Sequence, residues 1–131
     1  MNKDIAKFVK TCHPCQAIKT RRSFTPKVRQ FSVPDKRFQE IHIDVVGPLP
    51  QSEGMSYLLT ILCRRTRWLE VIPLPVASSL TCCNGFIRGW LQRYGAPQEI
   101  VCDNGSTFTA NLWMDLNRIL GQKVTFVPPY H

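Results

Sequence analysis

The chain has 131 residues, 44% of them apolar, which suits one domain or a domain plus a fragment. No run of eighteen apolar residues occurs, which excludes a membrane-spanning helix, and Met1-Asn-Lys-Asp-Ile-Ala-Lys7 does not read as a secretory signal. The net charge of +8 sits entirely in residues 1–38, where ten Lys/Arg face Asp4 and Asp35, whereas residues 39–131 hold seven Lys/Arg against seven Asp/Glu. A basic arm beside a neutral domain points to a polyanion, most often nucleic acid, with a solvated tail as the plain alternative. The expected location is intracellular, nuclear or cytoplasmic, and the six cysteines are expected as reduced thiols rather than disulfides.

Taken in order, residues 1–11 read as the end of a helix, with Ile5, Phe8 and Val9 at helical spacing. Cys12-His-Pro-Cys15 is half of a typical tetrahedral zinc site, and no second Cys/His pair follows at finger spacing. Either its other ligands lie upstream or the two cysteines are free. Residues 16–38 form a basic, proline-bearing stretch carrying Lys19, Arg21, Arg22, Lys27 and Arg29, and a domain boundary is placed near Arg37/Phe38. Strands are predicted over about 40–46, 57–63 and 68–72, joined by short loops as an antiparallel meander. An amphipathic helix follows, built on Leu80, Cys83, Phe86/Ile87, Trp90/Leu91 and Tyr94, weakened by Gly85 and Gly89 and stopped at Gly95-Ala-Pro97. A fourth strand ends at Asp103, a second helix carries Leu112/Trp113, Leu116 and Ile119/Leu120 inward, and Val124–Val127 is a fifth strand. The order βββαβαβ predicts an α/β fold with a mixed sheet and helices packed on it, the arrangement of ribonuclease H-like domains.

Two acids stand out in that order. Asp103 ends an apolar strand and precedes Asn104-Gly105, a turn signal whose residues tolerate positive φ, with Ser106, Thr107 or Thr109 available to cap the next helix. A strand-end acid faces the crevice where open α/β sheets place ligands. Alone it reads more readily as turn support. Asp44 lies in Glu40-Ile-His-Ile-Asp-Val-Val, with His42 and Val46 on its face and Ile41, Ile43 and Val45 on the other. An ionised Asp in such a strand is costly unless paired, hydrogen-bonded or metal-bound. A salt bridge is the simple account. Two carboxylates on strand positions are also what a Mg²⁺ site for phosphoryl transfer needs, since Mg²⁺ takes one or two protein carboxylates plus substrate phosphates.

His42-Ile-Asp44-Val-Val-Gly-Pro, Tyr57-Leu-Leu-Thr-Ile61, Arg67-Trp68, Tyr94-Gly-Ala-Pro97, Asp103-Asn-Gly-Ser-Thr-Phe108, Leu120-Gly121 and Pro129-Tyr-His131 resemble, in order, the integrase core of Gypsy-type long-terminal-repeat retrotransposons and retroviral Pol polyproteins. The resemblance covers about residues 5–131. It implies a remnant of an HHCC-type zinc-binding domain over 1–22, a basic linker over 23–38 and a catalytic core over 39–131. Cys12 and Cys15 match the last two zinc ligands, so Zn²⁺ is expected only where two upstream histidines are supplied. Asp44 and Asp103 match the two catalytic aspartates. The family's third acid, a glutamate, falls beyond residue 131, and Asp115 is the one later acid, so a C-terminally truncated core is expected.

The implied function is integrase-type polynucleotidyl transfer in DNA integration, with two Mg²⁺ or Mn²⁺ ions in the complete site. The implied partners are element-end and target DNA and further copies of the protein. Lys19, Arg21, Arg22, Lys27 and Arg29 would contact phosphates, and Tyr130 and His131 would line the DNA channel. The rival reading is a non-catalytic nucleic-acid-binding module, a remnant or domesticated copy; a ribonuclease H-like nuclease is a third.

Overall fold

The computed structural model describes residues 2–11 and 33–128. The chain divides into two compact units, 1–31 and 32–131. In the first, helix α1 (Asn2–Thr11) places Asp4 in its first turn, where the helix dipole favours an acid, and the Thr11 hydroxyl donates back to the carbonyls of Lys7 and Phe8. Ile5 and Phe8 are exposed.

The second unit is a five-stranded sheet of β1 (Glu40–Val46), β2 (Tyr57–Cys63), β3 (Leu69–Leu74), β4 (Glu99–Asp103) and β5 (Lys123–Val127), ordered β3-β2-β1-β4-β5. β1–β2 and β2–β3 pair antiparallel, as short loops allow, whereas β1–β4 and β4–β5 pair parallel, as the helical crossovers require. This is the mixed ribonuclease H-like sheet expected from the sequence. β3 runs on through Pro73, which an edge strand accommodates because no ladder hydrogen bond is needed on its free side.

Alternation along each strand decides the core. Ile41 and Ile43 of β1, Leu59, Ile61 and Cys63 of β2, and Ile100 and Cys102 of β4 are buried and share one face through the register. The helices cover that face. Helix α2 comprises an α-helical part (Ser79–Phe86), a π-helical turn (Ile87–Leu91) and a last turn (Gln92–Tyr94), and it ends at Gly95 with φ 82°. Ser78 and Thr81 close its start as a reciprocal capping box. Helix α3 (Ser106–Thr109) and helix α4 (Asn111–Ile119) follow β4 as two elements, broken at Ala110 with ψ 146°. Trp90, Trp113, Phe86 and Phe108 are fully buried, each contributing about 1.5–3 kcal/mol of apolar burial.

Several expectations are corrected. Leu112, Ile119 and Leu120 do not point inward: α4 buries Trp113 and Asn117 and half-buries Leu116, while Ile119 is 80% exposed. Leu80 is likewise exposed. Gly85 and Gly89 are not mere weak points in α2. A Cβ on Gly89 would lie 2.6 Å from Ile72 Cγ1 and one on Gly85 3.3 Å from Leu59 Cδ2, so both let the helix sit close on β2 and β3. Cys63, Cys82, Cys83 and Cys102 are buried free thiols, and burial pushes Cys82 up to about 11 and Cys102 up to about 12.

Candidate functional site

Asp44 lies near the carboxyl end of β1 and Asp103 closes β4. The two strands pair in parallel at Glu40–Glu99, Ile41–Ile100 and His42–Val101. Carried two residues further, the same register sets Asp44 beside Asp103. Both line one cleft of about 190 Å³ with Val45, Gly47, Tyr57 and Ala77, and with Gly105 to Phe108 from the turn into α3. The strand-end position read from the sequence therefore brings the two acids together.

The reason Asp44 is tolerated differs from the one expected. It is not a buried charge in need of a partner, because Asp44 and His42 alternate onto the exposed face of β1 while Ile41 and Ile43 take the buried one. Asp44 makes no ion pair among the described residues, and its Oδ1 accepts the Val45 N–H at 2.8 Å. That removes both the salt-bridge account and a paired-core role. Asp103 is exposed too, and its Oδ1 accepts the Gly105 N–H at 3.0 Å, an Asx-type turn. Each carboxylate is thus steadied through one oxygen by its own backbone, and Oδ2 makes no protein hydrogen bond among the described residues.

The Asn104-Gly105 turn works by space and not by positive φ. Gly105 has φ −59° and ψ 147°, an ordinary extended conformation, and Asn104 is not among the positive-φ residues. A Cβ at Gly105 would stand 2.9 Å from Asp103 Oδ1. The glycine clears room for the carboxylate. Nor do Ser106, Thr107 or Thr109 cap a helix: α3 and α4 have no side-chain cap bond, and the hydroxyls of Thr107 and Thr109 donate to the carbonyls of Ala77 and Gly105.

The donor set fits a hard divalent cation. Two exposed carboxylates share a cleft that no Lys or Arg among the described residues lines. No cluster of three or more His, Cys, Asp or Glu able to hold a metal occurs among the described residues. Asp115 is not a third member: it lies on α4, pairs with Arg118 at 2.9 Å and lines a different cleft. Burial dominates the high Cys102 value, and the neighbouring Asp103 charge adds to it, so that thiol stays protonated behind the site. Cys12, Cys15, Lys19, Arg21, Arg22, Lys27, Arg29, Tyr130 and His131 lie outside the described residues. Sequence reasoning missed Gly47, Tyr57, Ala77 and Thr107 as cleft-lining residues. Gly47, three residues after Asp44, and Thr107, close to Asp103, carried a local signal.

A mixed sheet with two acids at adjacent parallel strand ends defines a ribonuclease H-like domain with a carboxylate site. The integrase core domain family matches residues 34–131, and the chain belongs to that family. It is 29% identical over 133 residues to the retrovirus-related Pol polyprotein from transposon 412 of Drosophila melanogaster, and 26% identical over 131 residues to the Pro-Pol polyprotein of simian foamy virus type 3. All of this chain is covered in both alignments, and it spans 11% of either relative's length. Among solved structures, the HTLV-2 integrase catalytic core domain in complex with magnesium, in a trimeric form, superposes with a TM-score of 0.61 at 15% identity, covering 69% of this chain and 60% of that one. The chain is an integrase core of the kind found in retroelement Pol polyproteins.

Proposed function

We propose that this core performs integrase-type polynucleotidyl transfer on DNA, with Asp44 and Asp103 as its ligands for Mg²⁺ or Mn²⁺. The observation that carries the reading is the convergence of two exposed carboxylates, from adjacent parallel strands, on one cleft lined by no cation among the described residues. Bound there, the metal supplies Lewis-acid stabilisation of charge developing on the phosphoryl oxygens. The protein's part is preorganisation. The Val45 and Gly105 amides fix one oxygen of each carboxylate and leave the other directed by the strand ends. Gly105 keeps the approach to Asp103 open. The HTLV-2 neighbour supports the metal by its bound magnesium, and its trimeric form supports assembly with further copies.

The test is nicking and joining of a duplex oligonucleotide with Mg²⁺ or Mn²⁺. Asp44→Asn and Asp103→Asn should each depress the rate by more than the roughly 10–100-fold that outer partners of a metal ligand are worth. Turnover that survives either substitution, or persists in chelator, would contradict the assignment. A binding-only core is the second reading, favoured by the absence of a three-ligand cluster among the described residues. It predicts unaltered DNA binding in both variants and no nicking by any of them.

A further inference from the structure

At the opposite end of the sheet, beside the start of β1, where Glu40 pairs with Arg64 and Glu99 with Lys123, a cluster of aromatic rings carries cations. Phe38 is fixed there by its rings' neighbours, 5.3 Å from Trp90 and 4.8 Å from Tyr94 between centroids. The Arg37 guanidinium lies over Phe38 at 5.5 Å and that of Arg93 over Tyr94 at 5.1 Å. The half-exposed Trp68 joins the same group, its indole N–H donating to the Tyr94 hydroxyl at 3.0 Å. Beside these rings is a cavity of about 360 Å³ lined by Lys36, Arg37 and Arg93 and by no acidic side chain.

The acid bonded to this group is already committed, while the exposed Asp35 lines the neighbouring cleft. Glu70 accepts from Trp68 Nε1 at 3.0 Å, from the Tyr94 hydroxyl at 2.5 Å and from Arg93 Nη1 at 2.8 Å. The Tyr94 hydrogen bond, aided by Arg93, holds its carboxyl below the ordinary range, so its charge is held within the network. Arg93 has further N–H donors beyond that single contact. Lys36, Arg37 and Arg67 make no ion pair with a described residue. Arg67 is also held outward by its backbone: it sits at φ 62°, on the tight β2–β3 turn closed by its N–H to the Cys63 carbonyl at 2.9 Å. Such conformations persist only where the surroundings over-determine them.

Cations carried on aromatic faces, beside an exposed indole and a cavity whose described lining holds no acid, match the chemistry of a nucleic-acid backbone. We infer that this end of the core is a second DNA-contact surface, in which Lys36, Arg37, Arg67 and Arg93 hold backbone phosphates away from the carboxylate cleft and Trp68 lies against the strand. The choice of DNA as the polyanion rests on the proposed integrase reaction; the contact itself does not depend on metal or catalysis.

The experiment is binding of the full chain to a fluorescent duplex in chelator across a salt series. Wild type is compared with Lys36→Gln/Arg37→Gln, with Arg67→Gln, with the three combined, and with an arm control, Lys19→Gln/Arg21→Gln/Arg22→Gln. The combined variant should bind at least about tenfold more weakly, and its log K against log salt slope should fall by about 0.9 for each phosphate that is no longer neutralised. Arg67→Gln alone should lower the slope by about one such step, and Arg67→Lys should restore it. Wild-type affinity and slope in the combined variant, with weaker binding confined to the arm control, would overturn the inference. The titration is run without metal, and none of these variants alters a residue lining the carboxylate cleft. A catalytic failure of the integrase proposal would therefore leave this result standing.

Discussion

Gly105 shows how a single residue can matter through what it lacks. Its backbone, at φ −59°, would accept any amino acid, yet a Cβ would stand 2.9 Å from the Asp103 carboxylate. Gly105→Ala should therefore leave the fold and melting temperature essentially unchanged while displacing Asp103, lowering Mn²⁺ affinity by roughly tenfold, the scale of outer-shell support. Titration calorimetry beside a thermal melt checks this. An unfolded variant, or one with full affinity, would contradict it. Both aspartates were legible in the sequence, because strand alternation and strand-end position are local properties. The role of the glycine was not. Asn-Gly ordinarily signals positive φ, and the crowding that demands glycine here comes from a side chain folded back on its own turn.

At the scale of elements, periodicity located α2 and α4 but could not say how closely they sit on the sheet. Ile72 reaches the place where Gly89 would carry a Cβ, at 2.6 Å, and the helix passes this point in a π-helical turn. Alanine is the better helix former by about 1 kcal/mol. Overpacking by a methyl group against a fixed β-branched side chain costs typically about 1–3 kcal/mol, so packing decides the sign. Gly89→Ala is expected to destabilise by about 1–2 kcal/mol in urea unfolding, and that penalty should shrink when it is measured in an Ile72→Ala background. A stabilised Gly89→Ala would show that propensity outweighs the close approach. In α4 the apolar repeat misled for a related reason: a nine-residue helix buries the strip carrying Trp113 and Asn117, and Leu112 and Ile119 fall off it. The break at Ala110 was equally silent, since Thr109-Ala-Asn111 holds neither Gly nor Pro.

Across the whole second unit, the clefts at the two ends of the sheet differ in the charges that line them. Among the described residues, the cleft end presents Asp44 and Asp103 with no lining cation, and the far end presents Lys36, Arg37 and Arg93 around an acid-free cavity. Composition did not show this: Lys36 and Arg37 were counted with the basic stretch of residues 1–38, and Arg93 within the neutral total of 39–131. The Arg64-Arg-Thr-Arg67 run read simply as a turn, and the bond of the adjacent Trp68 to Tyr94 became visible only once β3 was placed at the edge beside α2. Topology was the more legible part, as three short-looped strands followed by alternating helix and strand leave few arrangements.

The central claim, that Asp44 and Asp103 form one divalent-cation site, is tested most directly by calorimetric titration of Mn²⁺ into the chain and into Asp44→Asn and Asp103→Asn. Saturable binding by the wild type that either substitution abolishes is the predicted result, with all three proteins melting alike because both side chains are exposed. Binding that survives both substitutions, or a wild type that takes up no metal, would contradict that claim.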